Sequence, residues 1–316
     1  MNMNKQTILL ISFSLLISCN TIEYKPKYSD FANAWEKDNL IGKVKTLEHY
    51  KAKVTDFNTG EIEKSRIDFR KVYTEFGKIA YQERFDNIGK SEQYIKNTYD
   101  KNSNQIESIS EDFITPSKSI GKAEFDKTGK TISTSIILND SLNYKVLFEY
   151  DNHGNLIIQR NIQNNDTSLI RIEYKYKEDG KILLKKQIGN SEYGKNEYTN
   201  EFKYDQFGNL VELIYKSEFQ GQIKSTYEYD SKNRIVKIAE YQNGQIEKET
   251  FFDKYYNQIS IKYYVKAALN KEMKYEYDFD SKGNWIEKKV SVKEYYGKEN
   301  TFLPIIVETR KIEYYE

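Results

Sequence analysis

Few side chains in this 316-residue sequence are of the types that carry out nucleophilic, proton-transfer or metal chemistry near neutral pH. The chain has two histidines, His49 and His153, and one cysteine, Cys19. A zinc site needs three or four ligands that come together, and these three residues are widely spaced. The sequence also has no nucleophile elbow, P-loop or dinucleotide-binding pattern. We therefore predict no metal, no cofactor and no enzyme activity.

Carboxylates are abundant, with 48 Asp and Glu residues, and a glycosidase needs only two that face each other across a cleft. Many of them, however, directly follow an aromatic residue and shortly precede Gly or Asn. Asp in such a place caps backbone amides, and Gly supplies a positive φ, so the pattern is typical of a tight turn. One such Asp per turn offers too few oxygens for calcium. We expect structural turn roles for Asp100, Asp126, Asp151, Asp205, Asp230, Asp280, Gly129, Gly154, Gly208 and Gly283.

Aromatic residues near the C-terminal end give a further candidate site. Trp285 lies close in sequence to Tyr255, Tyr256 and Tyr263. Rings of this kind present flat apolar faces with a polar edge. They form either a platform for a glycan or peptide, or part of the packed inner face of a sheet.

The elements that position these residues come from an internal repeat. The segments FEYDNHGNL (148–156), FKYDQFGNL (202–210) and YDFDSKGNW (277–285) share one pattern. A Gly or Asn marker recurs at nine positions, spaced 24 to 28 residues apart: 77, 104, 129, 154, 180, 208, 233, 257 and 283. A period of about 26 residues fits two strands and two turns.

Second turn signals lie between the markers, at Asn139-Asp140, Asn164-Asn165-Asp166, Gly189-Asn190, Gly221-Gln222, Asn243-Gly244, Asn270 and Gly297. Apolar residues alternate with charged ones before each marker, as in Tyr144, Val146, Phe148 and Tyr150. This alternation is typical of strands with one covered face. The sequence thus predicts an all-β protein: an extended antiparallel meander of about 18 strands, curled into an open shell or superhelical strip with its aromatic residues inward. Dense Lys and Glu in the first and last strands would protect its two free edges.

The motif FxYDxxGNL resembles the YD repeat of RHS and teneurin-type proteins, over about residues 70 to 290. The literal dipeptide occurs at Tyr99-Asp100, Tyr150-Asp151, Tyr204-Asp205 and Tyr229-Asp230. Other copies use Phe, or replace the Asp, as at Thr74 and Lys177. The resemblance implies a shell-like or strip-like fold and an extracytoplasmic setting.

The N-terminus has the features of an export signal. Lys5 precedes a ten-residue apolar run from Ile8 to Ile17, which is too short to span a bilayer as a helix. The run ends at Leu16-Ile17-Ser18-Cys19, which resembles the lipobox of bacterial lipoproteins. That resemblance implies cleavage after Ser18, lipid attachment at Cys19 and, since Asn20 rather than Asp follows, an outer-membrane location facing the periplasm or the cell surface. We predict a signal peptide (1–18), a polar tether with a short helix around Phe31 to Trp35 (19–39), and one repeat domain (40–316).

Charge gives little sign of nucleic-acid binding. The chain has 49 Lys and Arg against 48 Asp and Glu, and no long basic run, whereas nucleic-acid binders cluster their cations. We therefore expect a membrane-anchored, non-enzymatic binding or scaffold protein for a protein or glycan partner, with no nucleic acid bound. The alternatives are a polysaccharide hydrolase that uses paired carboxylates and a surface protein for toxin immunity or assembly.

Overall fold

The computed structural model describes residues 34–139, 141–163, 166–191, 194–295 and 301–316. The predicted signal peptide, the lipidation site Cys19 and the tether up to residue 33 lie outside the described residues. The short helix predicted around Phe31 to Trp35 falls partly outside them; the described helix, α1, spans Ala34–Lys37.

The rest of the described chain is antiparallel strands joined by turns. The strands are β1 (Val44–Asp56), β2 (Glu61–Ile62), β3 (Arg66–Tyr73), β4 (Ile79–Phe85), β5 (Ser91–Tyr99), β6 (Gln105–Asp112), β7 (Ser117–Phe125), β8 (Thr131–Leu138), β9 (Ser141–Tyr150), β10 (Leu156–Gln163), β11 (Asp166–Tyr176), β12 (Ile182–Ser191), β13 (Gly194–Tyr204), β14 (Leu210–Ser217), β15 (Gly221–Tyr229), β16 (Ile235–Gln242), β17 (Gln245–Phe252), β18 (Gln258–Val265), β19 (Ala268–Phe279), β20 (Trp285–Glu294) and β21 (Leu303–Tyr314). The all-β antiparallel meander predicted from the repeat is confirmed.

Residues alternate between two faces because successive side chains of a strand point in opposite directions. In β11, Ile172 is buried and Tyr174 and Tyr176 are half-buried, whereas Arg171 and Glu173 are exposed. Each Tyr or Phe at these positions adds apolar surface to one side of the sheet. The sheet therefore has an aromatic face and a charged face.

The open strip predicted from the sequence is wrong, because the sheet closes. From β3 to β21 each strand pairs with the next, and β1 pairs with both β3 and β21. In the described chain, β1 and β3–β21 thus form a closed antiparallel ring of 20 strands, while the short β2 pairs only with β1. The charged terminal strands, expected to guard two free edges, instead hydrogen-bond to each other.

Closure follows from the length of the meander and the twist of its strands. Strongly twisted open sheets rarely exceed about ten strands before they curl or close. When the ring closes, the backbone N–H and C=O groups of both terminal strands find partners, which an open sheet leaves exposed. Nine paired positions join β1 to β21, from Val44 with Tyr314 to Lys53 with Ile306.

Because the strands run up and down, alternate turns lie at opposite ends of the ring. The nine turns of the repeat motif form one end, the motif rim, at 74–78, 100–104, 126–130, 151–155, 177–181, 205–209, 230–234, 253–257 and 280–284. The turns between motifs form the opposite rim. A tenth turn of the same type, Asp86 to Lys90, lies on the opposite rim and was not predicted.

Several turn positions differ from those predicted. The left-handed residue of two motif turns is Ser103 (φ 63°) and Tyr256 (φ 65°), one position before the Asn markers at 104 and 257. Gly189 and Asn190 are not a turn: they lie inside β12. Asn270 lies inside β19, and the turn before it has positive φ at Lys266 and Ala267. Asp140, Asn164, Asn165 and Gly297 lie outside the described residues.

The segment 34–42 crosses the concave side of the ring at the motif rim. The Ala34 amide donates to the Gly77 carbonyl (2.7 Å), and the Asn39 side chain bonds that of Asn257 (2.6 Å). Five strand spacings separate β3 from β18 around the ring, an arc of about 24 Å. Ala34–Lys37 is helical and rises only about 1.5 Å per residue, so residues 34–39 together with the two Asn side chains span less than that arc. The segment therefore follows a chord inside the ring, and the face that it covers is the inner one.

That contact creates the main buried cluster of the described chain, with Ala34, Leu40, Val44, Leu47 and Tyr73 at its centre. Since Tyr73 directly precedes its motif turn, as Tyr176 does, the aromatic face is the inner face, as the sequence predicts. Within the described residues, no helix combines the length and apolar character needed to cross a bilayer.

Candidate functional site

The aspartates of the motif turns are fully engaged in local backbone contacts. The Asp151 Oδ1 atom accepts from the His153 amide (2.9 Å) and the Asn155 amide (2.8 Å). The same two bonds recur at each of the other predicted turn aspartates: Asp100, Asp126, Asp205, Asp230 and Asp280. The predicted glycines, Gly129, Gly154, Gly208 and Gly283, all have φ between 83° and 89°. Both residue types thus occupy turn-forming positions.

The tyrosine before the aspartate links one repeat to the previous one. The Tyr99 hydroxyl donates to the Ile79 carbonyl (2.7 Å), and those of Tyr150, Tyr204 and Tyr229 donate in the same way to Thr131, Ile182 and Leu210. The acceptor in each case is the fifth residue after the start of the preceding motif turn. Burial raises the pKa of Tyr99 to about 12, so the hydroxyl stays a donor.

The described carboxyl groups with a shifted pKa are not perturbed in the direction expected of a general acid. A general acid needs a pKa raised towards neutrality. Every described carboxyl group with a shifted pKa has it lowered instead, as at Asp126, where the Thr128 hydroxyl and the Lys130 amide donate to the carboxylate. The others are Glu48, Asp56, Glu63, Asp100, Asp179, Asp205, Asp230, Glu249, Asp280 and Glu308.

A polar cluster occupies the inner face where the ring closes, and we call it the seam cluster: His49, Asp68, Glu308, Lys288, Arg310 and Trp285. The His49 ring, 6% exposed, bridges the strands on both sides of β1. Its Nδ1 lies 3.1 Å from the Asp68 carboxylate on β3, and its Nε2 lies 3.0 Å from the Glu308 carboxylate on β21.

Asp68 reaches the ring because of an irregularity in the β1–β3 register. Phe69 pairs with His49 and Ile67 pairs with Tyr50, which leaves Asp68 as the extra residue of a bulge. Burial alone would raise the pKa of Glu308, but the hydrogen bond from His49 and the positive charge of Lys288 lower it to about 2. Glu308 is therefore an anion held between the Lys288 ammonium group and the His49 ring.

Trp285 belongs to this cluster and not to a ligand platform. Its side chain is buried, at 7% exposure, and the Arg310 guanidinium lies 3.6 Å from the centre of its ring. Burial lowers the pKa of Arg310 to about 10. One face of the indole is thus covered by a cation of the same chain.

The other predicted platform residues are also not brought together. Tyr255 is 47% exposed on the motif rim, whereas Tyr256 packs against the buried cluster around Leu210 and Ile235. Tyr263 lies on β18 beneath the Lys271 ammonium group. The four residues of the predicted platform thus lie in different surroundings: Trp285 in the seam cluster, Tyr255 on the motif rim, Tyr256 against a buried cluster and Tyr263 on β18.

Among the described residues, no group of three or more His, Cys, Asp or Glu side chains is arranged to hold a metal ion. His153 is on the motif rim, where its ring stacks on Tyr176 with ring centres 4.6 Å apart.

One site with room for a ligand is a groove on the inner face near the opposite rim, which we call the inner groove. It spans β11 to β14 and has a volume of about 400 Å³, in the range of small-ligand sites. The strand register explains its lining, because residues directly opposite each other share a face. Ile170 pairs with Gly189, Gln187 with Tyr198, and Tyr198 with Ser217. Its lining is Ser168, Ile170, Gln187, Gly189, Asn196, Glu197, Tyr198, Tyr215, Ser217, Phe219 and Gln220.

Aromatic rings and uncharged polar groups make up nearly all of this lining. Tyr198 and Tyr215 lie with ring centres 5.5 Å apart at an angle of 40°, and Phe219 is 77% exposed in the turn after β14. The single charged residue, Glu197, alternates with Asn196 and Tyr198, so its side chain points to the outer face. There it pairs with Lys186 at 2.8 Å. Among the described lining residues, the inner surface of the groove thus carries no charge.

The groove was missed from the sequence because of Gly189. Its neighbour Asn190 made the pair look like a turn, whereas the missing side chain opens space between β11 and β13: a Cβ there would lie 3.9 Å from Ile170 Cγ1 and from the Asn196 carbonyl. The stretch from Ile182 through Ile188 contains no turn residue, and this was a signal that the strand continues into Gly189.

Comparison with known proteins shows which family the repeats resemble. Residues 99–242, which include the inner groove, match the family model described as Teneurin YD-shell. No curated protein sequence matches the chain. Solved structures that resemble it include a porin-like protein from Bacteroides uniformis (12% identity, 85% of this chain and 98% of that one, TM-score 0.36).

Two further structures are similar. A porin-like protein from Bacteroides vulgatus has 12% identity over 84% of this chain and 97% of that one, with a TM-score of 0.26. TcdB2-TccC3 has 11% identity over 78% of this chain, with a TM-score of 0.20, and the match spans 19% of that longer chain. From the family match and its own motif turns, this chain contains repeats of the teneurin YD-shell type.

Proposed function

We propose that this protein is a membrane-anchored, extracytoplasmic lipoprotein that binds a partner molecule without changing it chemically. The observation that carries the binding role is the inner groove, a cavity of about 400 Å³ lined by rings and amides on a closed sheet. A ligand held there meets side chains on four adjacent, mutually hydrogen-bonded strands. Such rigid placement reduces the ordering cost of binding.

The anchor part of the proposal rests on the sequence around Cys19. Acyl chains contribute about 0.8 kcal/mol per buried methylene group, so a multiply acylated cysteine holds a protein durably at a membrane. Segment 34–42 enters the fold at the motif rim. The anchor would therefore attach at the end of the ring opposite to the inner groove, and the groove would face away from the membrane.

Two alternatives lose support. A hydrolase with paired carboxylates has no candidate acid among the described carboxyl groups with shifted pKa, all of which are shifted downwards. Assembly by strand addition needs a free sheet edge, and in the described chain β1 and β21 cover each other over nine paired positions.

Membrane fractionation of Cys19→Ser tests the anchor. We expect the wild-type protein in the membrane fraction, labelled by an alkyne-tagged fatty acid, and the variant unlabelled and either soluble or unprocessed. Gly208→Ala, which leaves the N-terminus intact, is the matched control and keeps both the label and the membrane location. An unlabelled wild-type protein, or a Cys19→Ser protein that still sediments with membranes after processing, contradicts the anchor.

A further inference from the structure

We propose that the inner groove binds a neutral oligosaccharide segment, with Tyr198, Tyr215 and Phe219 as its stacking surfaces. This inference rests on the proposed binding function and specifies the ligand class of the same site. The groove combines three features that point to this class: aromatic rings, side-chain amides and hydroxyls, and the absence of charge on its inner surface.

The aromatic rings suit the apolar C–H faces of pyranose sugars, which pack on ring faces through dispersion and weak C–H contacts. Tyr198 and Tyr215 present rings that are inclined by 40° rather than stacked flat on each other. Successive sugar rings along a chain are likewise inclined to one another. Phe219, largely exposed at the mouth, extends this surface towards the opposite rim.

The polar groups of the groove suit sugar hydroxyls, which both donate and accept hydrogen bonds. Gln187, Asn196 and Gln220 each offer one carbonyl oxygen and two amide N–H groups, and Ser168 and Ser217 offer hydroxyls. Burial is the main cause that raises the pKa of Tyr198, so its phenol is neutral and also available for such bonds.

The lack of charged groups on the inner surface of the groove argues against an ionic ligand. Charged residues are 31% of the chain, yet the one charged residue of this lining turns its carboxylate to the outer face and pairs with Lys186. An anionic glycan or an acidic peptide would find no cation in the groove to offset the cost of desolvation. An extended peptide would also lack a strand edge to pair with, because β11, β12, β13 and β14 are each paired on both sides.

Gly189 gives the sharpest test of the site. Its backbone is not in the left-handed region, and an added Cβ would make only ordinary contacts at 3.9 Å. Gly189→Leu therefore places a side chain in the groove with little backbone strain. Tyr198→Ala removes a stacking surface, and Phe219→Ala has a matched control in Phe207→Ala, an equally exposed Phe (71% against 77%) on the motif rim.

The experiment measures binding of the full chain to a panel of neutral gluco-, manno- and xylo-oligosaccharides, with sulfated and uronate oligosaccharides as charged probes. Far-UV circular dichroism and the melting temperature check that each variant folds. We expect binding to at least one neutral oligosaccharide, weakened about tenfold or more by Gly189→Leu and Tyr198→Ala, weakened by Phe219→Ala and unchanged by Phe207→Ala.

The possible failures are distinguishable. Binding only to charged oligosaccharides, or neutral binding that a folded Gly189→Leu protein retains, overturns the assignment of ligand or site while the binding function stands. Capture of a protein partner with no glycan bound likewise overturns the assignment of the ligand while the binding function stands. New reducing ends released from a bound oligosaccharide overturn the non-enzymatic function while the ligand class stands. If neither a glycan nor a protein is bound, both proposals fail.

Discussion

The tyrosine and the aspartate of the YD dipeptide have different structural roles. The aspartate shapes its own turn through two backbone amides, whereas the tyrosine reaches across to the previous repeat. At Tyr229 the hydroxyl donates to the Leu210 carbonyl (2.8 Å), beside a Leu210 side chain that is 1% exposed. The dipeptide recurs because one residue closes a hairpin and its neighbour fixes the distance to the next one.

Tyr229→Phe tests this division at the scale of a residue. Removing the hydroxyl leaves the Leu210 carbonyl without that donor, and an unmade buried hydrogen bond costs about 1 to 3 kcal/mol. We expect the free energy of unfolding in urea to fall by about that amount with an unchanged m-value. Tyr241→Phe is the control, since the Tyr241 ring packs beneath the Lys224 ammonium group, and we expect a smaller loss. Equal losses in the two variants would contradict the role of the hydroxyl.

Residue chemistry was the most predictable part of the molecule. Asp followed three positions later by Gly identifies a tight turn from local physics alone, and the aspartates and glycines predicted for the motif turns, such as Asp151 and Gly154, all lie in such turns. The platform around Trp285 was less predictable, because the Arg310 that covers its ring comes from β21, 25 positions later in the sequence. Local pattern does not reveal which long-range partner occupies an aromatic face.

At the scale of elements, β1 is the strand that closes the ring, and His49 ties it to both neighbours. Its ring contacts Asp68 on β3 and Glu308 on β21, and Glu308 also accepts from Lys288 on β20 (2.5 Å). Arg310 on β21 lies nearby over Trp285. Four adjacent strands thus meet in one set of charges.

This cluster predicts a specific acid sensitivity. Because the pKa of Glu308 is lowered to about 2 in the folded state from its ordinary value of about 4.5, its contribution to stability is complete above about pH 4.5. It is lost as the pH falls towards 2. We expect Glu308→Gln to lower the free energy of unfolding at pH 7 by on the order of 1 to 3 kcal/mol.

Urea unfolding at pH 7, 4 and 3 measures the effect. The wild-type protein should lose more stability between pH 4.5 and 2 than Glu308→Gln, so the two curves should converge in acid. Parallel curves over that range would show that Glu308 contributes nothing to the acid sensitivity.

Element boundaries show where sequence reasoning was limited. The strands before each motif turn were predictable because their alternation is regular, as with Val146 and Ile172. The turns of the opposite rim were harder to place: Gly189 and Asn270 looked like turn residues but lie within strands. A Gly inside a strand marks either a close approach of another backbone or an open space beside the strand. Which of the two occurs depends on the side chains of the neighbouring strands.

At the scale of the whole molecule, closure of the sheet was the feature that the sequence could not supply. Each repeat specifies its own hairpin and its link to the next, but the match between β1 and β21 depends on curvature accumulated over all the strands. The inner groove depends on the same curvature, which places Tyr198 and Tyr215 on the concave side of the sheet. The repeat pattern predicted that aromatic residues would line the inner face of the sheet. It did not predict the shape of the groove that they form.

An engineered disulfide tests closure directly. Ala52 and Val307 are opposite each other across the β1–β21 pair, and opposed residues lie about 4.5 to 5.5 Å apart between Cα atoms, within the range of a disulfide. In a Cys19→Ser background, Ala52→Cys with Val307→Cys should form an intramolecular bridge under mild oxidation at low protein concentration. Mass spectrometry and non-reducing gels detect it.

The matched control combines Ala52→Cys with Ala239→Cys on β16, a similarly buried position (2% exposed) that is far around the ring. This pair should stay reduced. An open strip would hold residues 52 and 307 at opposite ends of the molecule, so failure of the first pair to bridge would contradict the ring.

The path of segment 34–42 has a mechanical consequence. A pull on the N-terminus first meets the bond from Ala34 to Gly77, then the bonds from Asn39 to Asn257 and from Ile41 to Asn284. It then acts along β1, which is flanked by β3 and β21. Such a load shears two hydrogen-bond ladders at once, so many bonds share the force instead of breaking one after another as in unzipping. A protein fastened by this end would resist being torn from its attachment while its far rim stays free to hold a ligand.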